Sequence, residues 1–482
     1  MKRRDLVLAA AGLLAAGRPL LAAAAPPSIE DLTAGVWDVV VAGSGLAGLT
    51  AAIAAREAGA SRVLVIEKGP LVGGHSAFSS GSFAVLSPRL QAAQGIVDPI
   101  ETWIADCRRI GGDINESVVR SIIERSESTK DWLASMGVDF SSVLFEALGG
   151  LRPRCVAPRG GMGGKHYIRV LNARGRESGV ALRLNTALVS ALPATVEAAH
   201  VWRLGLSVEG GRTTEILSRS LVLATGGFTA NTAMRLLYDP RFGARMQTTA
   251  NPDGTLWDGA TGDGIRIGLS AGATVAGMDN IIYLPYWGGR ALDYAGAEIY
   301  INLKGERFVN ESAPVNVIAQ AITYEPEQEM WVITDAKSIK GANIGSKFAT
   351  GRLHVSDSVA DMAKAMGIPA EVLERTMARY NRYARENRDP DFGKTTFAQT
   401  IDTPPFYWGR EKLYVHCTLG GLVVDDRARV LDAQKNPIAG LFAAGEVAGG
   451  IFGADRLGGM SLAQAAVLGR EAGRSAALSL LA

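Results

Sequence analysis

Residues 37 to 67 read WDVVVAGSGLAGLTAAIAAREAGASRVLVIE, and this stretch decides the fold. The apolar run Trp37 to Ala42 predicts a short buried strand, and the small-residue run after it, LTAAIAAREAGA, has helical spacing. RVLVIE predicts a second strand that ends on Glu67. Between the first strand and the helix stands GSGLAG, with Gly43, Gly45 and Gly48 at the G-x-G-x-x-G positions and an acidic residue about twenty positions later. Three glycines can coincide in a glycine-rich chain. Strand, turn, helix, strand and terminal acid in this order form one βαβ unit, in which glycines let backbone approach a pyrophosphate at a helix N-terminus and Glu67 accepts from ribose hydroxyls.

The chain has 482 residues, 47% of them apolar and 20% charged, which is ordinary for a globular enzyme with more than one lobe. Its 57 glycines fall in short clusters, as turns do, and not in a low-complexity tract. A net charge of +2 and the lack of an aromatic-studded basic stripe give no reason to invoke nucleic acid. An anionic ligand must then be met by local arginines.

The N-terminus, MKRRDLVLAAAGLLAAGRPLLAAAA, has a basic start, an apolar run from Leu6 to Gly17 and a small-residue end, the pattern of a cleaved export signal over residues 1–25. The run is short for a membrane span and Arg18 interrupts it, so no stable membrane insertion of the mature chain is expected. Arg3-Arg4 points to the twin-arginine route, hence to a periplasmic protein exported folded. The alternative is an uncleaved anchor. Cys107, Cys155 and Cys417 allow at most one disulfide, and no CxxCH occurs for c-type haem. No metal site is expected.

Further along, Pro99 to Met136 reads as amphipathic helix, VALRLNTALVSAL and RTTEILSRSLVLATGGF as strands, and IYINLKGERFVN as a hairpin. A helical segment from Ser356 to Glu386, the strand LFAAGE and a long helix opening on Gly458-Gly459 complete the chain. The expected division is a nucleotide-binding lobe over 36–239, a second lobe over 240–355, and a return to the first lobe over 356–482.

The ordered motifs GSGLAG with Glu67, EKGPLVGGHSAFSSG, LATGGF, GATGDG, KGERFVNE, HCTLGG and LFAAGEVAGG…RLGG resemble the fumarate reductase and succinate dehydrogenase flavoprotein family, in particular its soluble flavocytochrome c and urocanate reductase branch. The resemblance spans nearly all of the mature chain. It implies an α/β fold, with a Rossmann-like FAD-binding domain and an inserted α+β capping domain. Carried over residue by residue, FAD would be held by Gly43, Gly45, Gly48, Glu67, Lys68, Gly74, His75, Ser76, Gly81, Ala224, Thr225, Gly226, Asp263, Gly445, Glu446, Gly459, Ser461 and Leu462. His75 stands close to the histidine that some members bond covalently to FAD, but the soluble branch usually has Asn or Ser there, and non-covalent binding is expected.

The catalytic positions depart from the family. The branch places a proton-donating arginine four residues after the KGERFVNE glutamate, where this chain has Val315. Ungapped counting puts Ala291 and Tyr294 at the donor's acidic and arginine partners, Leu284-Pro285 at a His-Pro pair, and Cys417 at a substrate-binding histidine. His416 remains. Arg456 matches the arginine that grips a substrate carboxylate; the alternative is an ion pair with Glu446 or Asp455.

In IIYLPYWGGRALDYAG, residues 281 to 296, Tyr283, Tyr286, Trp287 and Tyr294 then read as an aromatic substrate wall, with Tyr283 and Tyr294 as candidate phenolic donors. The expected function is reduction or formation of a C=C bond next to a carbonyl or carboxylate of a small molecule, with Arg456, Tyr294, Tyr283 and His416 as catalytic candidates. Fumarate is disfavoured, and electrons pass to or from a separate partner. A ketosteroid-type FAD dehydrogenase and a non-catalytic FAD electron-transfer subunit are the alternatives.

Overall fold

The computed structural model describes residues 26–240, 243–285, 288–342 and 344–481. The expected export signal over residues 1–25 lies outside them, as do Tyr286 and Trp287.

The βαβ unit forms as read. Strand Val36–Ala42 pairs in parallel with Val63–Ile66, and helix Leu46–Glu57 connects them. Among the described residues these belong to an eight-stranded sheet. Its parallel centre runs Pro437–Ala443, Arg212–Leu223, Val36–Ala42, Val63–Ile66, Ala181–Arg183. A hairpin, Ala187–Val196 with Ala199–Val208, adds antiparallel to Arg212–Leu223, and Arg429–Leu431 closes the other edge. The central strands are near-continuous Val, Leu and Ile runs because both faces are covered.

Helix Leu46–Glu57 packs closely on the C-terminal helix Met460–Leu478 through Gly469 and Gly473. A Cβ at Gly473 would sit 1.9 Å from the Ala51 carbonyl oxygen, and one at Gly469 2.2 Å from Thr50 Oγ1. Gly473→Ala would gain about 1 kcal/mol of helix propensity. Overpacking against rigid backbone costs about 1–3 kcal/mol or more and wins. The expected outcome is a lower thermal unfolding midpoint, with an unchanged or higher midpoint as the contrary result.

The second lobe carries a five-stranded antiparallel sheet in the order Ile281–Pro285, Phe406–Thr418, Glu329–Thr334, Ile299–Ile301, with Leu353–Ser356 also on Phe406–Thr418. The expected hairpin is shorter than read: Ile299–Ile301 turns at Asn302 to Gly305 and returns through a single bridge from Ile301 to Arg307. The return to the first lobe also comes later than residue 356. Helices Val359–Met366 and Ala370–Glu386 bury Met362, Leu373, Met377 and Tyr380 with Ile299, Ile301 and Trp408 in a core of the second lobe. Helical spacing shows that these segments bury one face, but not which sheet lies beneath it.

Long strand Phe406–Thr418 belongs to the second sheet along most of its length and ends beside the first lobe. Arg429–Leu431 is the first strand back in the large sheet. No helix among the described residues is long and apolar enough to cross a membrane.

Candidate active site

A cavity of about 350 Å³ lies where the glycine turn, the C-terminal helix and the end of the second sheet meet. Two helix N-termini open on it. Helix Leu46–Glu57 starts at Gly45 and helix Met460–Leu478 at Gly459; neither glycine caps its helix, and Leu46 N donates to Ser76 Oγ at 3.1 Å. Their first-turn N–H groups and dipoles favour a negative group. Glycines keep the approach clear: a Cβ on Gly74 or Gly226 would meet no atom within 4 Å. Thr225 Oγ1 is buried without a hydrogen-bond partner on the same wall. This donor set fits a dinucleotide with phosphates at the glycine turn.

Most of the sequence candidates come together. Gly43, Gly45, Glu67, Lys68, Gly74, His75 and Ser76 line the cavity from the first βαβ unit and the turn after it. Ala224, Thr225, Gly226 and Asp263 line it from the middle of the chain, and Gly445, Glu446, Gly459, Ser461 and Leu462 from the end. Glu67 is 8% exposed and ties the strand end to the turn, accepting from Ser44 N at 3.0 Å, Ser44 Oγ at 2.7 Å and Gly69 N at 2.8 Å. Gly48 and Gly81 are not lining residues. Gly48 lets the helix pass close to the glycine turn, and Gly81, at φ +89°, packs against Gly163.

His75 sits between two carboxylates, with Nε2 2.8 Å from Asp258 and Nδ1 3.9 Å from Glu446. Burial works against its charge, but Asp258 and Glu446 outweigh burial and push the imidazolium up to about 10. Burial likewise opposes the Asp258 charge, and His75 and Thr248 overcome it to hold the carboxyl at about 2. The His75 contribution to stability is therefore complete below its ordinary value of 6.5 and is lost as pH rises through about 10. Wild type should lose thermal stability across that alkaline window, and His75→Gln should lose less. Equal alkaline loss in both would remove the pairing argument.

Arg456 and His416 also line the cavity. The Arg456 side chain has no carboxylate within 4.0 Å among the described residues, and its Nε is buried without a hydrogen-bond partner. The alternative ion pair is not formed. Asp455 instead accepts from Asn316 N at 3.2 Å and from the Arg456 backbone N at 2.7 Å, and Glu446 accepts from Thr418 N at 2.9 Å.

His416 stands between Val415 and Cys417 in a strand whose register against Ile282 and Tyr283 skips one residue, and His416 is the residue skipped. A bulge of this kind re-aims a side chain, and both His416 and Cys417 reach the cavity. Burial, then Arg456 and His75, push His416 down to about 3, so the ring is neutral at neutral pH, with Nδ1 3.1 Å from Thr249 Oγ1. Burial pushes the Cys417 thiol up to about 12, which leaves it an inert filler.

Of the expected aromatic wall, the two described tyrosines, Tyr283 and Tyr294, do not line the cavity. Strand alternation sends Ile282 and Leu284 toward the cavity and Tyr283 to the opposite face, where its hydroxyl donates to Asp239 at 3.1 Å. Tyr294 accepts from Ile339 N at 3.1 Å and is not a lining residue. The cavity side of this segment is instead made by Arg290 and Asp293, one residue before each position that ungapped counting selected, together with Ile282, Leu284, Pro285 and Val315. Arg290 Nε lies 2.6 Å and Nη2 2.5 Å from Glu298 Oε1, which also accepts from Tyr300 Oη at 2.8 Å. The signal that sequence reading passed over was the Arg-x-x-Asp spacing itself.

The fold and the site define a two-lobed FAD-dependent oxidoreductase acting on CH–CH groups. The pattern of the FAD binding domain family matches residues 38–462. A probable fumarate reductase of Shewanella frigidimarina is 32% identical over 91% of this chain and 74% of its own length. The urocanate reductase of Eggerthella lenta is 32% identical over 94% of this chain and 76% of its own length. The open conformation of a flavocytochrome c3 fumarate reductase superposes with a TM-score of 0.70 at 30% identity, covering 93% of this chain and 79% of that one. The chain belongs to the fumarate reductase and succinate dehydrogenase flavoprotein family, and its cofactor is FAD.

Proposed function

We propose that this protein reduces or forms a C=C bond conjugated to a carboxylate or carbonyl in a small molecule other than fumarate. The observation that carries the reading is Arg456: a cavity-lining guanidinium with no carboxylate partner and a buried, unpartnered Nε. A partly buried, unpaired cation gains from a ligand that pairs with it, and a planar fork suits a carboxylate or an enolate oxygen. FAD, when bound and reduced, supplies a hydride to one carbon of the double bond. Arg456 would hold the oxygen onto which charge moves, and the apolar side chains of Val315, Ile282 and Leu284 would exclude water.

Two relatives of this chain are named as reductases of fumarate and urocanate, and both of those substrates are unsaturated acids. Fumarate itself is disfavoured because the family resemblance puts Val315 where the branch has its proton-donating arginine. Tyr283 and Tyr294 are not lining residues, so neither of them favours the tyrosine-based ketosteroid alternative. FAD would be bound without a covalent link, as the His75 ring is engaged by Asp258. An anaerobic screen of the reduced holoenzyme against enoates and enones, read by flavin absorbance, should find a compound that reoxidises the flavin. A fully FAD-loaded protein that no member reoxidises would refute the reading.

The protein is also proposed to be exported by the twin-arginine route, with a separate redox partner. Replacing Arg3-Arg4 by Lys-Lys should leave FAD-loaded protein in the cytoplasm, because the pair and not the total charge is recognised. Fractionation showing normal export of that variant would withdraw the twin-arginine claim.

A further inference from the structure

Among the described residues the cations that line the cavity are Lys68, His75, Arg290 and Arg456. Three of them have a carboxylate of their own. Lys68 Nζ is 2.5 Å from Asp263, His75 Nε2 is 2.8 Å from Asp258, and Arg290 Nη2 is 2.5 Å from the fully buried Glu298. Only Arg456 is left to meet a ligand charge.

The wall contributed by the second lobe is more restrictive still. Arg290 is fixed at several points: Nη2 also donates to the Tyr294 carbonyl at 2.9 Å, and the backbone N to Glu411 at 2.8 Å. Nε and Nη2 are thus occupied, while Nη1 has no hydrogen-bond partner among the described residues. Burial opposes the Arg290 charge, and Glu298 more than offsets it, so the guanidinium stays protonated but neutralised. Asp293 lines the same wall and accepts from Ala342 N at 2.5 Å; Arg290 and Lys347 lie near enough to feel its charge, but neither pairs with it within 4.0 Å, and Lys347 Nζ is spent on the Arg290 carbonyl at 2.6 Å. One side of the cavity therefore offers an unmatched positive charge, and the other a neutral ion pair and a carboxylate.

We propose that Arg290, Glu298 and Asp293 act together as a charge filter that limits the substrate to one negative charge, so that the enzyme takes monoanionic enoates with an uncharged far end. This rests on the reading of Arg456 as the group that holds the substrate's conjugated carboxylate or carbonyl. The far end lies among Ile282, Leu284, Pro285 and Val315, where Arg290 Nη1 donates to a neutral acceptor such as an ester, amide or phenol oxygen. A second carboxylate there would meet Asp293, and like charges brought together at a desolvated contact cost several kcal/mol.

The test compares fumarate with monomethyl fumarate, which keep the same four-carbon skeleton and differ by one charge. Oxidised holoenzyme is titrated with each, and binding is read from the perturbation of the flavin spectrum, which needs no turnover. In wild type the monoester should bind at least about tenfold more tightly. Glu298→Gln removes the counter-charge of Arg290, and Asp293→Asn removes the repelling carboxylate; each should shift the preference toward fumarate by about tenfold or more.

FAD content and unfolding midpoint identify a variant that has failed to fold, in which case the other variant decides. Equal binding of the two compounds by wild type, no response to either, or an unchanged preference in a folded variant would overturn the proposal. A monoester that binds with the expected preference and does not reoxidise reduced flavin would instead count against the proposed reaction and leave the charge filter standing.

Discussion

Arg456→Met is expected to slow flavin reoxidation by the best compound of the enoate screen by about 10²–10³-fold, while the protein keeps its FAD. The factor is that of one preorganised donor aimed at developing charge in a water-poor site. The structure also separates this outcome from a structural loss. Were Arg456 part of an ion pair, its removal would strand a buried carboxylate and destabilise the fold. Asp455 and Glu446, the carboxylates nearby, are held instead by Asn316, by the Arg456 backbone N–H and by Thr418, so none is stranded.

The unfolding midpoint should accordingly stay level or rise, since an unpaired cation has been removed from a partly buried place. Arg456→Lys, which keeps the charge but loses the planar fork, should fall between wild type and Arg456→Met. Stopped-flow reoxidation with matched FAD content measures the effect. An Arg456→Met rate within a factor of about three of wild type would mean that another group holds the substrate oxygen.

The first βαβ unit was legible because three independent signals coincide there: a β-branched run, a helix-spaced run of small residues, and a terminal acid. Gly43, Gly45 and Glu67 all lie on the wall of the cavity. Small residues in the C-terminal helix were legible only as helix formers. That Gly469 and Gly473 face Ala47 and Ala51 is a pairwise fact between segments over 400 positions apart.

The second lobe was harder for two physical reasons. Residues 288–298 form an irregular connection between strands Ile281–Pro285 and Ile299–Ile301, where no strand alternation tells which side chains face the cavity. That is how Ala291 and Tyr294 were selected where Arg290 and Asp293 line the cavity. The other reason is that its polar side chains act in pairs drawn from distant segments. Asp258, which fixes His75, and Thr249, which contacts His416, stand in an irregular stretch with no periodicity to mark them. Glu298 sits in what reads as an apolar strand approach, and only its contact with Arg290 reveals its use.

Gly48→Ala is expected to abolish FAD retention through purification, with loss of at least about two decades of affinity. A Cβ at this position would lie 1.9 Å from the Gly43 carbonyl oxygen, and Gly43 itself holds φ +106° with its own Cα side packed on Ala224 backbone. Neither neighbour is a flexible side chain that could swing away. The helix must move off the turn, and its N–H groups would then leave the place expected for the pyrophosphate. Overpacking of this kind costs about 3 kcal/mol, which is a hundredfold in affinity when the strain falls on the ligand site.

Helix propensity acts in the opposite direction, because Ala is favoured over Gly by about 1 kcal/mol, but it is too small to compensate. Gly45→Ala should be milder. Its Cβ would have 3.6 Å to Ser76 Oγ, ordinary van der Waals contact, so only the phosphate-facing space is reduced. Reconstitution titrations of apoprotein with FAD would rank wild type above Gly45→Ala and Gly45→Ala above Gly48→Ala. Full FAD loading of Gly48→Ala would show that the helix can shift without disturbing the turn, and the close approach of the two would then have no role in holding the cofactor.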